Sequence, residues 1–189
     1  MIEMDNFDVL NELIKDDARV IPFDDKNRLS VILKEPSYPQ SQVKISGLPN
    51  NAIVIKSDYW PPPDRVFTGS KNECKRADYI IISEKNDKLF ILYIELKNSN
   101  STHRNDVINQ FKGVRCLFDY CQSIGKMFWK KRDFLDRAQH RYICFAHTSI
   151  IKKRRTRIER QIKRNHNQPE DFMKICWPNH NEFNELCGS

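Results

Sequence analysis

Apolar and polar positions alternate along the chain in short segments, and two neighbouring segments make the clearest unit. Asp78 to Ser83 and Leu89 to Lys97 are rich in Ile, Leu, Phe and Tyr, which favours strands. Between them Glu84 to Lys88 is polar, and Asn86-Asp87 tolerates the positive φ angles of a two-residue turn, so the pattern predicts a β-hairpin. Residues 5–17 place Phe7, Leu10 and Ile14 at helical spacing behind an Asp5 or Asn6 cap, which predicts a short amphipathic helix flanking the core. Strand-like pieces follow at Leu29 to Leu33, Val43 to Ile45 and Ala52 to Ile55. Tyr59-Trp60-Pro61-Pro62-Pro63-Asp64 is an extended loop, because three prolines exclude helix and remove ladder donors. Its two aromatics suit packing the loop down better than stacking on a base.

Asn105 to Ser123 trace a helical face through Ile108, Phe111, Val114 or Arg115, Phe118 and Cys121. Gly113 sits mid-helix, a costly position that close backbone packing would account for. Arg141 to His147 and Phe172 to Trp177 read as buried strands, and Lys152 to Arg164 between them as a helix or a mobile loop. There is no repeat and no linker, so the 189 residues are expected to form a single domain, 1–189, with a basic C-terminal segment over about 126–164.

Composition agrees with a folded domain: 39% of residues are hydrophobic, in spite of 30% charged. The net charge is +7. From Lys126 to Arg164 there are fourteen Lys or Arg residues against Asp133, Asp136 and Glu159, a local excess of eleven positive charges, while the first thirty residues are acidic. A polyanion such as nucleic acid is the natural partner of that field; a solvated basic face without a partner is the alternative. The candidate phosphate-holding residues are Lys130, Lys131, Arg132, Lys152, Lys153, Arg154 and Arg155. Six scattered cysteines without a C-x-x-C pair read as reduced core residues. The acidic start lacks signal-peptide character and no apolar run reaches about 20 residues, so a cytoplasmic protein without membrane contact is expected.

The chemistry is carried by Glu95-Leu96-Lys97. On a strand a spacing of two puts Glu95 and Lys97 on one face. Phosphodiester hydrolysis needs that combination, since carboxylates hold a divalent cation against phosphate while an ammonium orients water and offsets developing charge. The triplet alone is weak: Glu73-Cys74-Lys75 and Asp24-Asp25-Lys26 match it, but in polar, turn-like sequence. Hairpin register supplies the second acid. With Asn86 and Asp87 as turn residues, cross-strand partners have numbers adding to 173, which sets Asp78 opposite Glu95 with Cβ atoms about 5 Å apart. A slip of one residue would destroy the arrangement.

An Asp opening one strand, E-x-K ending the next and a helix after it resembles the PD-(D/E)XK restriction-endonuclease-like superfamily, over roughly Ala52 to His147. The resemblance implies an α+β fold, a mixed β-sheet flanked by helices in α-β-β-β-α-β order. It implies Asp78 and Glu95 as metal-binding acids, the carbonyl of Leu96 as a further ligand, Lys97 as catalytic lysine and Gln110 as the helix residue turned into the site. Glu12 or Glu3 would be the acid from the first helix. The motif's proline is replaced by Ala77, and Pro63-Asp64, which matches literally, ranks second because it has no cross-strand relation to Glu95.

The histidines show no zinc spacing, and Asn165-His166-Asn167 lies outside the hairpin context of an H-N-H nuclease. The expectation is a nuclease dependent on Mg²⁺ or Mn²⁺, acting on DNA in preference to RNA, in restriction, repair or anti-phage defence. A homodimer or partner subunit would supply specificity. The rival is a non-catalytic nucleic-acid-binding or assembly module of the same fold.

Overall fold

The computed structural model describes residues 4–35, 38–98, 103–146, 160–161, 166–176 and 180–188. In chain order the elements are α1 (Asn6–Leu13), β1 (Phe23–Asp24), β2 (Leu29–Glu35), β3 (Tyr38–Ser46), β4 (Ile53–Lys56), β5 (Tyr79–Lys85), β6 (Lys88–Lys97), α2 (Arg104–Phe128), β7 (Gln139–Ala146), β8 (Arg160–Gln161), β9 (Met173–Cys176), β10 (Asn181–Glu182) and α3 (Phe183–Cys187). The protein is mixed α and β, with two mixed sheets and three α-helices among the described residues.

The larger sheet has the order β4-β5-β6-β7-β9-β8. β4, β5 and β6 run antiparallel, β7 and β9 continue parallel to β6, and β8 is antiparallel. The hairpin β5–β6 has the expected register throughout, from Tyr79↔Ile94 to Lys85↔Lys88. Asn86 and Asp87 both have positive φ, 50° and 58°, the mirror-image turn whose twist suits paired strands. The smaller sheet, β1-β2-β3-β10, closes by a parallel pairing of β10 with β3, Asn181↔Ile45.

Three layers result. On one face of the larger sheet Ile80, Ile82, Ile91 and Tyr93 bury under Val9 and Leu10 of α1 and Val107, Phe111, Val114 and Phe118 of α2. On the other, Ile81, Leu92, Ile94 and Leu96 bury against Val31, Leu33, Val43 and Ile45 of the smaller sheet and against α3. Coverage on both faces explains why β5 and β6 are apolar nearly without interruption.

The amphipathic N-terminal helix is shorter than its periodicity suggested. Asp5 starts it with a reciprocal capping box, accepting from the Phe7 and Asp8 N–H groups at 2.7 Å. It stops at Leu13 because Ile14 is extended and the Arg19 guanidinium takes the carbonyls of Leu10, Asn11 and Ile14. β2 and β3 extend beyond the predicted pieces, β4 is shifted by one residue at the predicted length, and α2 runs on to Phe128. Its buried face is Val107, Phe111, Val114 and Phe118, so the stripe begins one residue earlier than the predicted Ile108.

Gly113 has a clear reason. A Cβ there would overlap the Lys75 carbonyl, so the chain entering β5 lies directly on α2. The Ala77 N–H donates to the Gln110 carbonyl at 3.0 Å in the same contact. Of the basic stretch 152–164, only Arg160 and Gln161 fall within the described residues, as the short strand β8; Lys152, Lys153, Arg154 and Arg155 lie outside them, as do His147 and Trp177. The cysteines depart in part from the expectation of core packing. All six are free thiols, but only Cys144 and Cys187 are buried, and Cys116 is exposed on α2.

Candidate active site

Parity along β6 decides which face its polar end takes. Ile91 and Tyr93 point to the helical layer and Leu92, Ile94 and Leu96 to the smaller sheet, so Glu95 and Lys97 face α2. The same alternation in β5, with Ile80 and Ile82 toward α2, turns Asp78 to that side. Asp78 lies one step beyond the last recorded pair, Tyr79↔Ile94, and the continuing register sets it across from Glu95. Its Oδ2 accepts from the Leu96 N–H at 2.7 Å, and its carbonyl accepts from the Ser57 N–H at 2.9 Å. Lys97 and Glu95 form an ion pair through Oε1, while the Glu95 side chain is 1% exposed.

Burial and mutual charge perturb all three groups. Burial pushes the Asp78 carboxyl up to about 7, aided by the charges of Glu35 and Asp58 and opposed by the Leu96 amide and Lys97. Burial and then Asp78 raise Glu95 well above the usual carboxylate range, with Lys97 and Gln110 working against the rise. Burial disfavours the Lys97 ammonium, yet Glu95 and Asp78 outweigh it and hold its pKa above the ordinary value. Glu95 Oε2 and Gln110 Oε1 are buried without a hydrogen-bond partner. Such orphaned acceptors are costly unless something binds them.

An open cleft of about 440 Å³ reaches this group and is lined by Asp58, Pro62, Cys74, Lys75, Arg76, Asp78, Lys97, Asp106 and Gln110. Lys75 is paired with Asp106 at 2.9 Å and Arg76 Nε donates to the Ser57 carbonyl at 2.9 Å, so these two cations are part of its wall.

The structure thus brings together Asp78, Glu95, Lys97 and Gln110, with the backbone of Leu96 between them. It does not bring in Glu12. The Glu12 carboxylate accepts from Trp129 Nε1 at 2.8 Å, and α2, rising about 1.5 Å per residue, separates Trp129 from Gln110 by about 30 Å. Glu3 lies outside the described residues. Asp64 sits exposed in a 3-10 turn, Pro63–Arg65, and does not line the cleft, though its charge acts on Cys74 and Arg76, which do. The acids that sequence reasoning missed are Asp58 and Glu35, both of which act on Asp78, Glu35 having a buried Oε2 without a partner. The signal for Asp58 is the β4–β5 register, Lys56↔Tyr79, which carries it alongside Asp78; the long connection between the two strands hides that pairing in the sequence.

The rival triplets have other tasks. Glu73 takes the Gly69 and Lys71 N–H groups at 3.0 and 2.8 Å, and Asp25 pairs with Lys44. His166 is buried with Nε2 on the Leu186 carbonyl at 2.8 Å, a packing role. Lys130, Lys131 and Arg132 follow the far end of α2, about 30 Å from Gln110 by the same rise, with Lys131 paired to Asp133 at 3.3 Å. No protein-family model, curated protein or solved structure matches the chain. No helix among the described residues is long and apolar enough to cross a membrane.

Proposed function

We propose that the protein is a metal-dependent nuclease of the restriction-endonuclease-like type, hydrolysing phosphodiester bonds of DNA at Asp78, Glu95 and Lys97. The observation that carries the reading is the pairing of the buried Glu95 carboxylate with half-buried Asp78, across one hairpin register and beside a lysine of the same strand face, where Asp78 and Lys97 line an open cleft. Supporting it is the sequence of elements, a helix, three antiparallel strands β4-β5-β6, the helix α2 and the parallel strand β7, with β1–β3 as an insertion after α1.

The residues fit a divalent cation. No set of three His, Cys, Asp or Glu side chains is arranged as a metal site among the described residues. Mg²⁺, however, takes one or two carboxylates and keeps several waters. Asp78 and Glu95 would hold it, with the orphaned Glu95 Oε2 as ligand atom. Leu96 has its N–H on Asp78, and a strand residue's carbonyl projects to the same side as its N–H, so that carbonyl is the third candidate. The bound cation would supply Lewis-acid polarisation of the phosphate. Lys97 orients water and offsets the charge that develops as the water oxygen bonds to phosphorus and the sugar oxygen leaves. A hydrogen bond from Gln110 favours the charged form of Glu95 against the opposing effect of burial.

Purified protein incubated with plasmid and with single-stranded DNA, with and without Mg²⁺ or Mn²⁺, tests this. Cleavage that requires metal and falls by at least about a hundredfold in Asp78→Ala and in Lys97→Ala is expected. Cleavage that survives both substitutions rules the site out.

A further inference from the structure

Between β4 and β5 runs a connection, residues 57–77, that forms one wall of the cleft and is anchored at its base. Ser57 Oγ donates to the Ala77 carbonyl at 2.7 Å, Lys75 pairs with Asp106 of α2, and Glu73 gathers the amides of its own turn. The outer part of this anchored wall is apolar and unprotected. Tyr59 is 56% exposed, Trp60 38%, Val66 79% and Phe67 55%. Trp60 meets the exposed Tyr120 of α2 edge to face, with centroids 5.2 Å apart, and Lys56 Nζ stands 4.8 Å from the Tyr59 ring centroid.

Aromatic side chains left in water on a segment this firmly held point to a ligand, since a chain without one gains by burying them. Charge narrows the choice. Residues 56–76 carry Lys56, Arg65, Lys71, Lys75 and Arg76 against Asp58, Asp64 and Glu73; Lys75 is paired with Asp106 and Glu73 is taken up by loop amides, which leaves four cations against two carboxylates. Cations interleaved with aromatic faces suit a strand of bases joined by phosphates. A duplex offers such a wall little, because its base faces are already stacked on one another.

We infer that the 57–77 connection is a stacking platform for unpaired bases, so that the preferred substrate is single-stranded DNA, or a single-stranded segment of a larger DNA, led past the Asp78–Glu95–Lys97 site. The inference rests on the nuclease reading and deepens it by naming the substrate form. Tyr59 and Phe67 carry the stacking, Trp60 stiffens the platform through Tyr120, and Arg65 and Lys71 meet the phosphates.

Binding separates this from catalysis. Fluorescence anisotropy in EDTA, with a labelled oligothymidylate of roughly 20 nucleotides and a duplex of equal length, compares the full-length protein with Tyr59→Leu/Phe67→Leu, which keeps apolar bulk and removes the rings. Expected are at least about tenfold tighter binding of the single strand, a loss of about tenfold or more in the double variant, and duplex binding unchanged within about twofold. Circular dichroism of the variant should match the parent. Equal affinity for duplex and single strand, a variant that still binds the single strand, or an equal loss on both would overturn the inference, and tighter binding of oligouridylate would overturn its choice of DNA. Mg²⁺-dependent cleavage is read separately: single-strand binding without cleavage sinks the nuclease reading and leaves the platform, whereas cleavage of duplex without single-strand preference does the reverse.

Discussion

Asp78 stands across the hairpin from Glu95 and is tied to the same strand by a 2.7 Å hydrogen bond from the Leu96 N–H to its Oδ2. Two carboxylates held this close, and largely out of water, repel each other unless a proton or a cation intervenes. That one relationship makes the site both a metal candidate and a weakness of the metal-free fold.

The weakness has a defined pH dependence. Asp78 is raised from 3.8 to about 7, so the folded state binds a proton that the unfolded state has released. The stability contributed by the protonated carboxyl is complete below the unfolded value and is lost as pH rises through about 7. In EDTA, Asp78→Asn should therefore be more stable than the parent at pH 8 by roughly 1–2 kcal/mol, or about 2–8 °C in Tm, with the difference shrinking toward pH 5. Thermal melts across that range measure it. Mg²⁺ should raise the Tm of the parent at pH 8 and leave the variant unmoved.

Gly113→Ala sets two effects against each other. Helix propensity alone favours alanine by about 1 kcal/mol in a helix interior. The added methyl, however, would overlap the Lys75 backbone carbonyl, which cannot swing away as a flexible side chain can. Overpacking should win, with a net loss of about 1–3 kcal/mol in urea unfolding. Displacement of residues 75–77 should also lower cleavage, since Asp78 is the next residue. A variant as stable as the parent would show that the contact is loose.

Glu12, an acid the resemblance implied, lies far from the site, and Asp58, which the sequence reading did not name, lines the cleft. Glu12→Gln removes the charge that meets Trp129 and should change stability by about 0.5–1 kcal/mol at most, with cleavage unaltered within about twofold. Asp58→Asn removes a cleft carboxylate whose charge acts on Asp78 and should weaken apparent Mg²⁺ affinity by about 10–100-fold. Metal titrations of cleavage for the two variants distinguish these roles.

The hairpin turn offers a test of register apart from the site. Asp87 has φ of 58°, a conformation glycine adopts without penalty. Asp87→Gly should keep cleavage and hold or raise stability by up to about 1 kcal/mol. Deleting Asp87 would instead slip β6 against β5 by one position and turn Glu95 and Lys97 away from Asp78. Cleavage in the deletion variant should vanish even where circular dichroism still reports strands.

What the sequence alone determined about this protein is local and periodic. A two-residue turn together with the period of two carries Asp78, Glu95 and Lys97 to one face, and those rules act between residues at most 19 positions apart. A helix cap at Asp5 or Asn6 and most of the apolar stripe of α2 are legible for the same reason. Tertiary structure decided the rest. Residue numbers do not tell which strands are neighbours across long connections, so Asp58 and Glu35, the pairing of β10 with β3, and the seat of residues 75–77 on Gly113 could not be read beforehand. Nor could the exclusion of Glu12, whose helical pattern specifies that α1 buries one face but not which end of α2 it lies against. Packing of apolar faces chooses those partners, because it answers to the shape of the assembled layers and not to the spacing along the chain.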